Sequence, residues 1–230
     1  MNLSEHQYSG SAGSLDFPKT NKPVESVITY ISNVAELFAV AFKNTTIENE
    51  PGLNQKLCDL LNLHVGLRPY WFDKENIQQP EKGNSPRTDI GVKTREYLTI
   101  NTLTIERGNT FFELEAKRLP APSKAREREY VVGNNKKTGG IERFKIGEHG
   151  KKVLYGGLIA FVQKSEFRDL HSTINSWIEE LYDHTEFWNV ADKLVSCGST
   201  DSCARFLSKS KRSEGISSHI SLYHWWVKLN

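Results

Sequence analysis

The sequence predicts a mixed α/β fold in which helices flank a central sheet, and three observations lead to that prediction. Apolar residues recur at helical spacing in some segments, apolar and polar residues alternate in others, and the two kinds of segment are interspersed along the chain. With 37% hydrophobic and 25% charged residues, the composition is that of a chain with a buried core. Its 230 residues fit one sizeable domain, which we expect over residues 23–230.

Two helices open the predicted domain. Residues 1–22 are rich in Ser, Gly, Asn and Lys, so we expect a flexible N-terminal arm there. A helix is predicted over residues 23–43, because Pro23 suits a helix start and the apolar residues after it keep helical spacing. Pro51 opens a second predicted helix, which ends near Leu63 and has its apolar stripe at Leu53, Leu57, Leu60 and Leu61.

Extended segments follow, separated by connectors that are rich in turn residues. The clearest lies over residues 110–119, where Phe112, Leu114 and Ala116 alternate with charged residues until Pro120 ends the pattern. A buried strand is predicted over residues 153–162, which are mostly apolar. The other extended segments are residues 67–72, 88–92 and 97–105.

Two more helices and a last strand complete the prediction. A short helix over residues 141–146 follows Gly139 and Gly140, and a longer one runs from a Ser165 cap to about Tyr182 with apolar residues on one face. The polar segment 197–215 carries no predicted element. The chain closes with a strand over residues 216–229, whose adjacent Trp225 and Trp226 face opposite sides and belong to the core or to a partner surface.

Composition also bears on the compartment. No apolar run reaches the roughly 18 residues of a membrane span, and the first residues have neither the basic start nor the apolar run of a secretory signal. The three cysteines (Cys58, Cys197, Cys203) are sparse and form no C-x-x-C pair, which fits a reducing compartment. We therefore expect a cytoplasmic protein without a membrane segment.

The strand predicted over residues 110–119 carries the most informative side chains. Residues two apart on a strand point the same way, so Glu113, Glu115 and Lys117 share one face. Buried charges need partners, and a divalent metal ion held by carboxylate oxygens is one such partner. The alternative is a solvated strand face with cross-strand ion pairs, and Glu113 in particular could be a plain surface acid.

A metal site needs further acids, and two regions upstream supply candidates. Asp89 lies at the start of the preceding extended segment, and Glu50 or Glu48 lies at the entry of the second helix, with Glu50 preferred. Each has an ordinary alternative role. Asp89 could be a turn residue near Gly91, and the two glutamates could complement the partial positive charge of the helix N-terminus.

This arrangement resembles the PD-(D/E)xK nuclease superfamily, whose restriction-endonuclease-like core runs helix, three strands, helix, strand. Asp89, in Ser85-Pro86-Arg87-Thr88-Asp89, matches the first acid of the motif, and Glu115-Ala116-Lys117 matches the second element. Glu50 matches the helix glutamate that many members add, and Thr88 stands where the nominal motif has Pro. The resemblance covers about residues 45–185, leaving an extra N-terminal helix and a C-terminal strand outside it.

The resemblance implies a metal-dependent nuclease that hydrolyses phosphodiester bonds of DNA. Asp89, Glu115 and the carbonyl oxygen of Ala116 would hold Mg²⁺, for which Mn²⁺ can substitute. Lys117 would orient the attacking water or help to deprotonate it, and Glu50 would act through water or a second metal. The resemblance also implies an endonuclease of restriction or anti-phage defence, beside a helicase or ATPase partner or as a homo-oligomer. The rival hypothesis is a non-catalytic subunit that keeps the fold and only binds nucleic acid or a partner.

The segment over residues 117–152 holds eleven basic and four acidic residues, a net charge of +7, and suits contacts to phosphates. His149 is a further candidate for phosphate contact, and Tyr130 and Phe144 could stack on unpaired bases. The segment could instead be a solvated loop, and the sequence does not separate DNA from RNA. The predicted phosphate-binding side chains are Arg118, Arg126, Arg128, Lys136, Lys137, Arg143 and Lys145.

Overall fold

A computed structural model describes residues 22–81, 83, 85–134 and 137–230. The arm expected over residues 1–22 lies outside the described residues, except that Lys22 begins the first helix. The helices are α1 (Lys22–Ala41), α2 (Glu50–His64), α3 (Gly140–Ile146) and α4 (Phe167–His184). The strands are β1 (Tyr70–Ile77), β2 (Arg87–Thr94), β3 (Leu98–Ile100), β4 (Leu103–Ile105), β5 (Thr110–Leu119), β6 (Tyr155–Val162), β7 (Val195–Ser199), β8 (Cys203–Lys211) and β9 (His219–Lys228).

Seven of these strands form one mixed sheet in the order β1-β2-β5-β6-β9-β8-β7. The pairs β5–β6 and β6–β9 are parallel, whereas the pairs at both ends of the sheet are antiparallel. The strand β5, which carries the predicted acidic face, therefore lies inside the sheet between β2 and β6. The prediction of a mixed α/β fold with a central sheet flanked by helices is confirmed.

Two hydrophobic cores lie on opposite faces of the sheet. Residues of α1 and α2 pack on one face, against Phe112, Leu114 and Trp225 among others. Residues of α3 and α4 pack on the other face, where Trp226 is buried with Phe144. The two tryptophans point to opposite sides as expected for neighbours on a strand. Both are at most 1% exposed, so of the two predicted alternatives, core or partner surface, the structure shows the core.

The first helix, α1, is long and apolar enough to cross a membrane by length and composition. Eight of its residues are nevertheless buried, including Val27, Ile31 and Phe38 at 0% exposure. A stripe buried against a sheet is the pattern of a core helix in a globular domain. Packing against the sheet thus accounts for the apolar character of α1.

The polar segment 197–215 contains strands β7 and β8, which the sequence did not predict. Strand β8 turns Ser208 and Ser210 into the core, at 3% and 0% exposure, beside Phe206. Serines at buried positions hide the apolar alternation on which a strand prediction depends. Two boundaries also differ. The segment over residues 97–105 is a separate β3–β4 hairpin, and α4 begins after Glu166 rather than after a Ser165 cap.

A buried ion pair joins α3 to the connection between α4 and β7. Lys145 Nζ lies 2.9 and 2.8 Å from the two carboxylate oxygens of Asp192, and both side chains are 0% exposed. The same ammonium group lies over the rings of Phe187 and Trp188. Burial lowers the pKa of Lys145, and the charge of Asp192 opposes that shift. The prediction that Lys145 contacts DNA phosphates is wrong, since its charge is enclosed.

We expect Asp192→Ala to lower the free energy of unfolding by about 3–5 kcal/mol in urea denaturation, because it leaves Lys145 buried and unpaired. Adding Lys145→Met should recover part of that loss. The control is Lys193→Met, which breaks the half-exposed pair with Glu179 and should cost less than about 1 kcal/mol. Equal losses in Asp192→Ala and in Lys193→Met would contradict a dominant buried pair.

Candidate active site

The candidate site begins where two neighbouring strands separate. Strands β2 and β5 pair from Lys93–Thr110 to Ile90–Leu114, and the paired register ends there. Beyond that point the backbone N–H of Ala116 donates to Asp89 Oδ2 at 2.7 Å. Because the N–H and C=O of one strand residue point to the same side, the Ala116 carbonyl also faces this gap. The Asp89 carboxylate thus takes the place of the backbone acceptor that continued pairing with β2 would give to Ala116.

A second carboxylate reaches the gap from α2. Glu50 is the first residue of this helix, whose start is fixed by Pro51 and by the Asn49 side chain, which accepts from the N–H of Gly52 at 2.8 Å. Glu50 Oε2 accepts from the backbone N–H of Arg118 at 3.3 Å. Glu48, the alternative helix acid, is exposed. Of the two candidate helix acids, the structure therefore places the preferred one, Glu50, at the site.

Lys117 lies between the acids. Its Nζ is 2.8 Å from Glu115 Oε1 and 3.4 Å from Glu50 Oε1, and the residue is 6% exposed. Burial lowers the pKa of Lys117, but the charges of Glu115, Glu50 and Asp89 outweigh burial and raise it above its usual value. With these acids around it, Lys117 is a protonated cation that can donate hydrogen bonds and neutralise charge.

Glu115 is enclosed by positive and polar groups. Besides Lys117, its Oε1 lies 3.5 Å from Arg143 Nη1, and its Oε2 lies 3.2 Å from His149 Nδ1 without hydrogen-bond geometry. Burial raises the pKa of Glu115, but the Lys117 ammonium and its other neighbours lower it overall. Burial lowers the pKa of His149 to about 4, so its imidazole is neutral near pH 7. Glu115 is thus ionised and held in place.

Asp89 has the opposite electrostatics. Burial and then the charge of Glu115 raise its pKa to about 7, against weaker opposition from Lys117 and from the hydrogen bond of Ala116. The raised pKa thus reflects desolvation first and the neighbouring negative charge second. A half-buried carboxylate with a raised pKa beside other carboxylates is typical of functional sites.

The donor set fits a hard divalent cation in chemistry and in charge. Asp89, Glu115, Glu50 and the Ala116 carbonyl offer only oxygen, the ligand atom that Mg²⁺ prefers, and a cation would relieve the repulsion on Asp89. Over the part of the chain that the structure describes, however, no three His, Cys, Asp or Glu side chains are arranged as a ready metal cage. Glu115 instead contacts Lys117, Arg143 and His149.

Glu113 is not the plain surface acid that the sequence left open. It is 2% exposed and accepts a hydrogen bond from the backbone N–H of Gly150 at 2.9 Å. Burial raises the pKa of Glu113 to about 7, although hydrogen bonds from Gln78 and Thr88 oppose the shift. The whole acid-lysine face of β5 is therefore buried, which a solvated strand face would not be.

The residues predicted to contact phosphates lie in different parts of the structure. Arg126, Arg128 and Lys137 are exposed on the connection between β5 and α3, where Arg126 pairs with Glu129 and Arg128 with Glu180. Lys136 lies outside the described residues.

Other predicted contacts lie nearer the acids or in the core. Arg118 is half-buried and donates to Gln163 Oε1 at 2.9 Å, and Arg143 belongs to the acidic site itself. Tyr130 and Phe144 are at most 1% exposed, so the prediction that they stack on bases is wrong. His149 is 1% exposed and faces Glu115 rather than solvent, so the prediction of a phosphate contact is also wrong. Its contact with Glu115 had no signal in the sequence, because it depends on how the loop after α3 folds back onto β5.

The chain was compared with protein-family models, with curated proteins and with solved structures, and none of the three comparisons gave a match.

We expect the wild type to lose free energy of unfolding relative to Asp89→Asn between about pH 4 and pH 7 in EDTA, because its folded state holds the Asp89 proton up to a pKa of about 7 whereas the unfolded chain releases it near 3.8. Asp89→Asn keeps an acceptor for Ala116 but cannot ionise. It should be more stable than the wild type at pH 8 by about 2–4 kcal/mol.

The measurement is urea denaturation at a series of pH values. Glu113 titrates in the same range in both proteins, so the difference between the curves isolates Asp89. Asp201→Asn, a change at an exposed position, is the control and should follow the wild-type curve. A wild-type curve parallel to that of Asp89→Asn would contradict the raised pKa.

Proposed function

We propose that this protein is a metal-dependent nuclease of the restriction-endonuclease-like type, which hydrolyses phosphodiester bonds of DNA. One observation carries the proposal. Carboxylates from three separate elements, Asp89 on β2, Glu115 on β5 and Glu50 on α2, meet a buried lysine where β2 and β5 separate. A protein that needed only stability would bury apolar residues here, because desolvated charges are costly.

The order of elements around the site supports the same proposal. Helix α2 is followed by β1, β2 and β5, which are neighbours in the sheet and antiparallel, and then by α3 and β6, which is parallel to β5. The small β3–β4 hairpin and a one-turn 3-10 helix over Lys124–Arg126 interrupt this series. Helix, three strands, helix and strand is the order expected of the restriction-endonuclease-like core.

The chain's own residues suit phosphodiester hydrolysis. The oxygen ligands would be Asp89, Glu115 and the Ala116 carbonyl, with Glu50 acting through water. Bound Mg²⁺ would supply a water of lowered pKa and neutralise charge on the phosphate. Lys117 would hold that water by hydrogen bonds and stabilise the negative charge that develops in the transition state. Arg143 and His149 would keep Glu115 oriented.

The substrate assignment rests on exposed basic residues of the connection between β5 and α3. Arg126, Arg128 and Lys137 lie there and could contact phosphates of DNA. We extend the proposal to restriction or anti-phage defence in the cytoplasm, beside a helicase or ATPase partner or a second copy of the chain. That extension rests on the sequence resemblance alone.

A second candidate function is a non-catalytic subunit that binds nucleic acid or a partner. The observation in its favour is the enclosure of Glu115 by Lys117, Arg143 and His149, together with the absence of a ready metal cage among the described residues. An electrostatically satisfied cluster of this kind can serve structure alone.

We expect cleavage of plasmid or linear DNA with Mg²⁺ or Mn²⁺ and none with EDTA. Lys117→Met and Asp89→Asn should each lower the cleavage rate at least about 100-fold, because each removes a group that acts on the reacting phosphate. Lys209→Met and Asp201→Asn change the same residue types at exposed positions and should cleave like the wild type. A parallel assay with RNA of the same sequence separates the two nucleic acids. DNA binding without cleavage under any of these metals would favour the non-catalytic subunit.

We also expect the affinity for DNA in EDTA to depend on salt through the basic connection between β5 and α3. The double variant Lys124→Gln/Lys137→Gln should reduce the slope of log K against log salt by about two, since each lysine neutralises one phosphate. The matched control Lys209→Gln/Lys211→Gln removes two exposed lysines on β8. The same reduction in both variants would argue against a binding surface beside β5.

A further inference from the structure

A cavity of about 360 Å³ lies beside the candidate active site and has no role in the mechanism above. Glu113 of β5 is part of its lining, and so are the ends of β1 and the β3–β4 hairpin. Glu113 and Glu115 lie on the same face of β5, two residues or about 7 Å apart. A DNA strand rises about 3.4 Å per nucleotide, so the cavity is within about two nucleotides of the acids.

The polar part of the lining is fixed by hydrogen bonds. Asn76 is 5% exposed, and its Oδ1 accepts from Thr110 Oγ1 at 3.1 Å. Gln78 Nε2 donates to Thr88 Oγ1 at 3.3 Å and to the Asn76 carbonyl oxygen at 3.4 Å, and Glu113 accepts from the N–H of Gly150. These amides and the carboxyl group are therefore held in place before any ligand arrives. Amide and carboxyl groups are the side chains that pair with the edges of nucleobases.

The neighbouring strand leaves room for this arrangement. A Cβ atom on Gly91 would lie 2.5–2.9 Å from the Asn76 side chain, which is closer than real atoms approach. Glycine at this position of β2 therefore lets Asn76 lie flat on the sheet at the cavity. Side chains larger than hydrogen would displace the amide.

The rest of the lining is mainly apolar and includes one exposed lysine. Leu103 and Ile105 of the hairpin and Ile216 line the cavity, as does Lys152, which is exposed. The other lining lysine, Lys93, is already paired with Asp73. An apolar wall, fixed amides and a single exposed ammonium group suit a flat heterocycle that carries a phosphate.

We propose that this cavity binds one nucleotide, with the base against Asn76 and Gln78 and the phosphate at Lys152. The nucleotide is either an unstacked residue of the DNA strand beside the cleavage site or a free nucleotide. The first source rests on the proposed nuclease function, whereas the second does not. The volume fits a single nucleotide rather than a base pair.

Calorimetric titration with the four deoxynucleoside 5′-monophosphates tests the shared chemistry. Thr104→Trp places a large side chain in the cavity from an exposed hairpin position, and we expect it to weaken binding at least tenfold. Thr102→Trp, on the same hairpin but outside the lining, is the control and should bind like the wild type. Deoxyribose 5-phosphate, which lacks the base, should not bind.

Lys152→Gln gives a second test that does not depend on correct folding of Thr104→Trp. Lys152→Gln should weaken binding of a monophosphate several-fold and leave the affinity for the corresponding nucleoside unchanged, whereas Lys151→Gln should change neither. If no monophosphate binds the wild type, or if Thr104→Trp binds as well as the wild type while both melt at the same temperature, the proposal is overturned.

Oligonucleotides with a single 2-aminopurine, bound in EDTA, separate the two sources. A rise in fluorescence at one position that disappears in Thr104→Trp assigns the cavity to the DNA strand. Monophosphate binding without that rise assigns it to a free nucleotide. The cleavage assay is read independently. Cleavage of DNA without nucleotide binding in the cavity would overturn this inference and leave the proposed nuclease function intact. Nucleotide binding without cleavage would support this inference and contradict the nuclease function.

Discussion

The separation of β2 from β5 beyond Leu114 is the constraint on which the candidate site depends. It leaves backbone N–H groups of β5 without a strand partner in the interior of the domain, and such groups are costly unless they are hydrogen-bonded. Asp89 and Glu50 supply the missing acceptors for Ala116 and Arg118. The same two bonds that complete the sheet therefore bring two carboxylates beside a third, on Glu115.

Electrostatics then set the character of the cluster. Lys117 contacts two of the three acids, and Arg143 approaches only Glu115. Asp89 is left with a carboxyl that resists ionisation, and this costs stability at neutral pH. A fold selected for stability alone would not retain such a group, and this supports the proposal of a bound cation.

A second layer of buried polar groups holds the loop between α3 and β6 against the site. Glu113 accepts from the N–H of Gly150, and Arg212 of the segment after β8 donates to the carbonyl oxygens of Gly150 and Val153 at 2.7 and 3.2 Å. His149 lies in this loop and faces Glu115. The loop between α3 and β6 and the segment after β8 thus help to hold Glu115 in position. The site is therefore part of the folded core rather than a surface feature.

The sequence by itself determined the elements with strong periodicity and the acid-lysine face of β5, because helical spacing and strand alternation are local properties of the chain. It also offered Asp89 and Glu50 as further acids for a metal site, and the resemblance of motif supported that choice. Strand β8 was not predicted because its Ser208 and Ser210 are buried without being apolar, and β7 was not predicted because all its residues are exposed and show no alternation. Tertiary structure alone decided that Lys145 is enclosed by Asp192 instead of facing DNA and that His149 reaches Glu115. These contacts join residues that are 47 and 34 positions apart, and no local pattern encodes which distant residues pack together in the core.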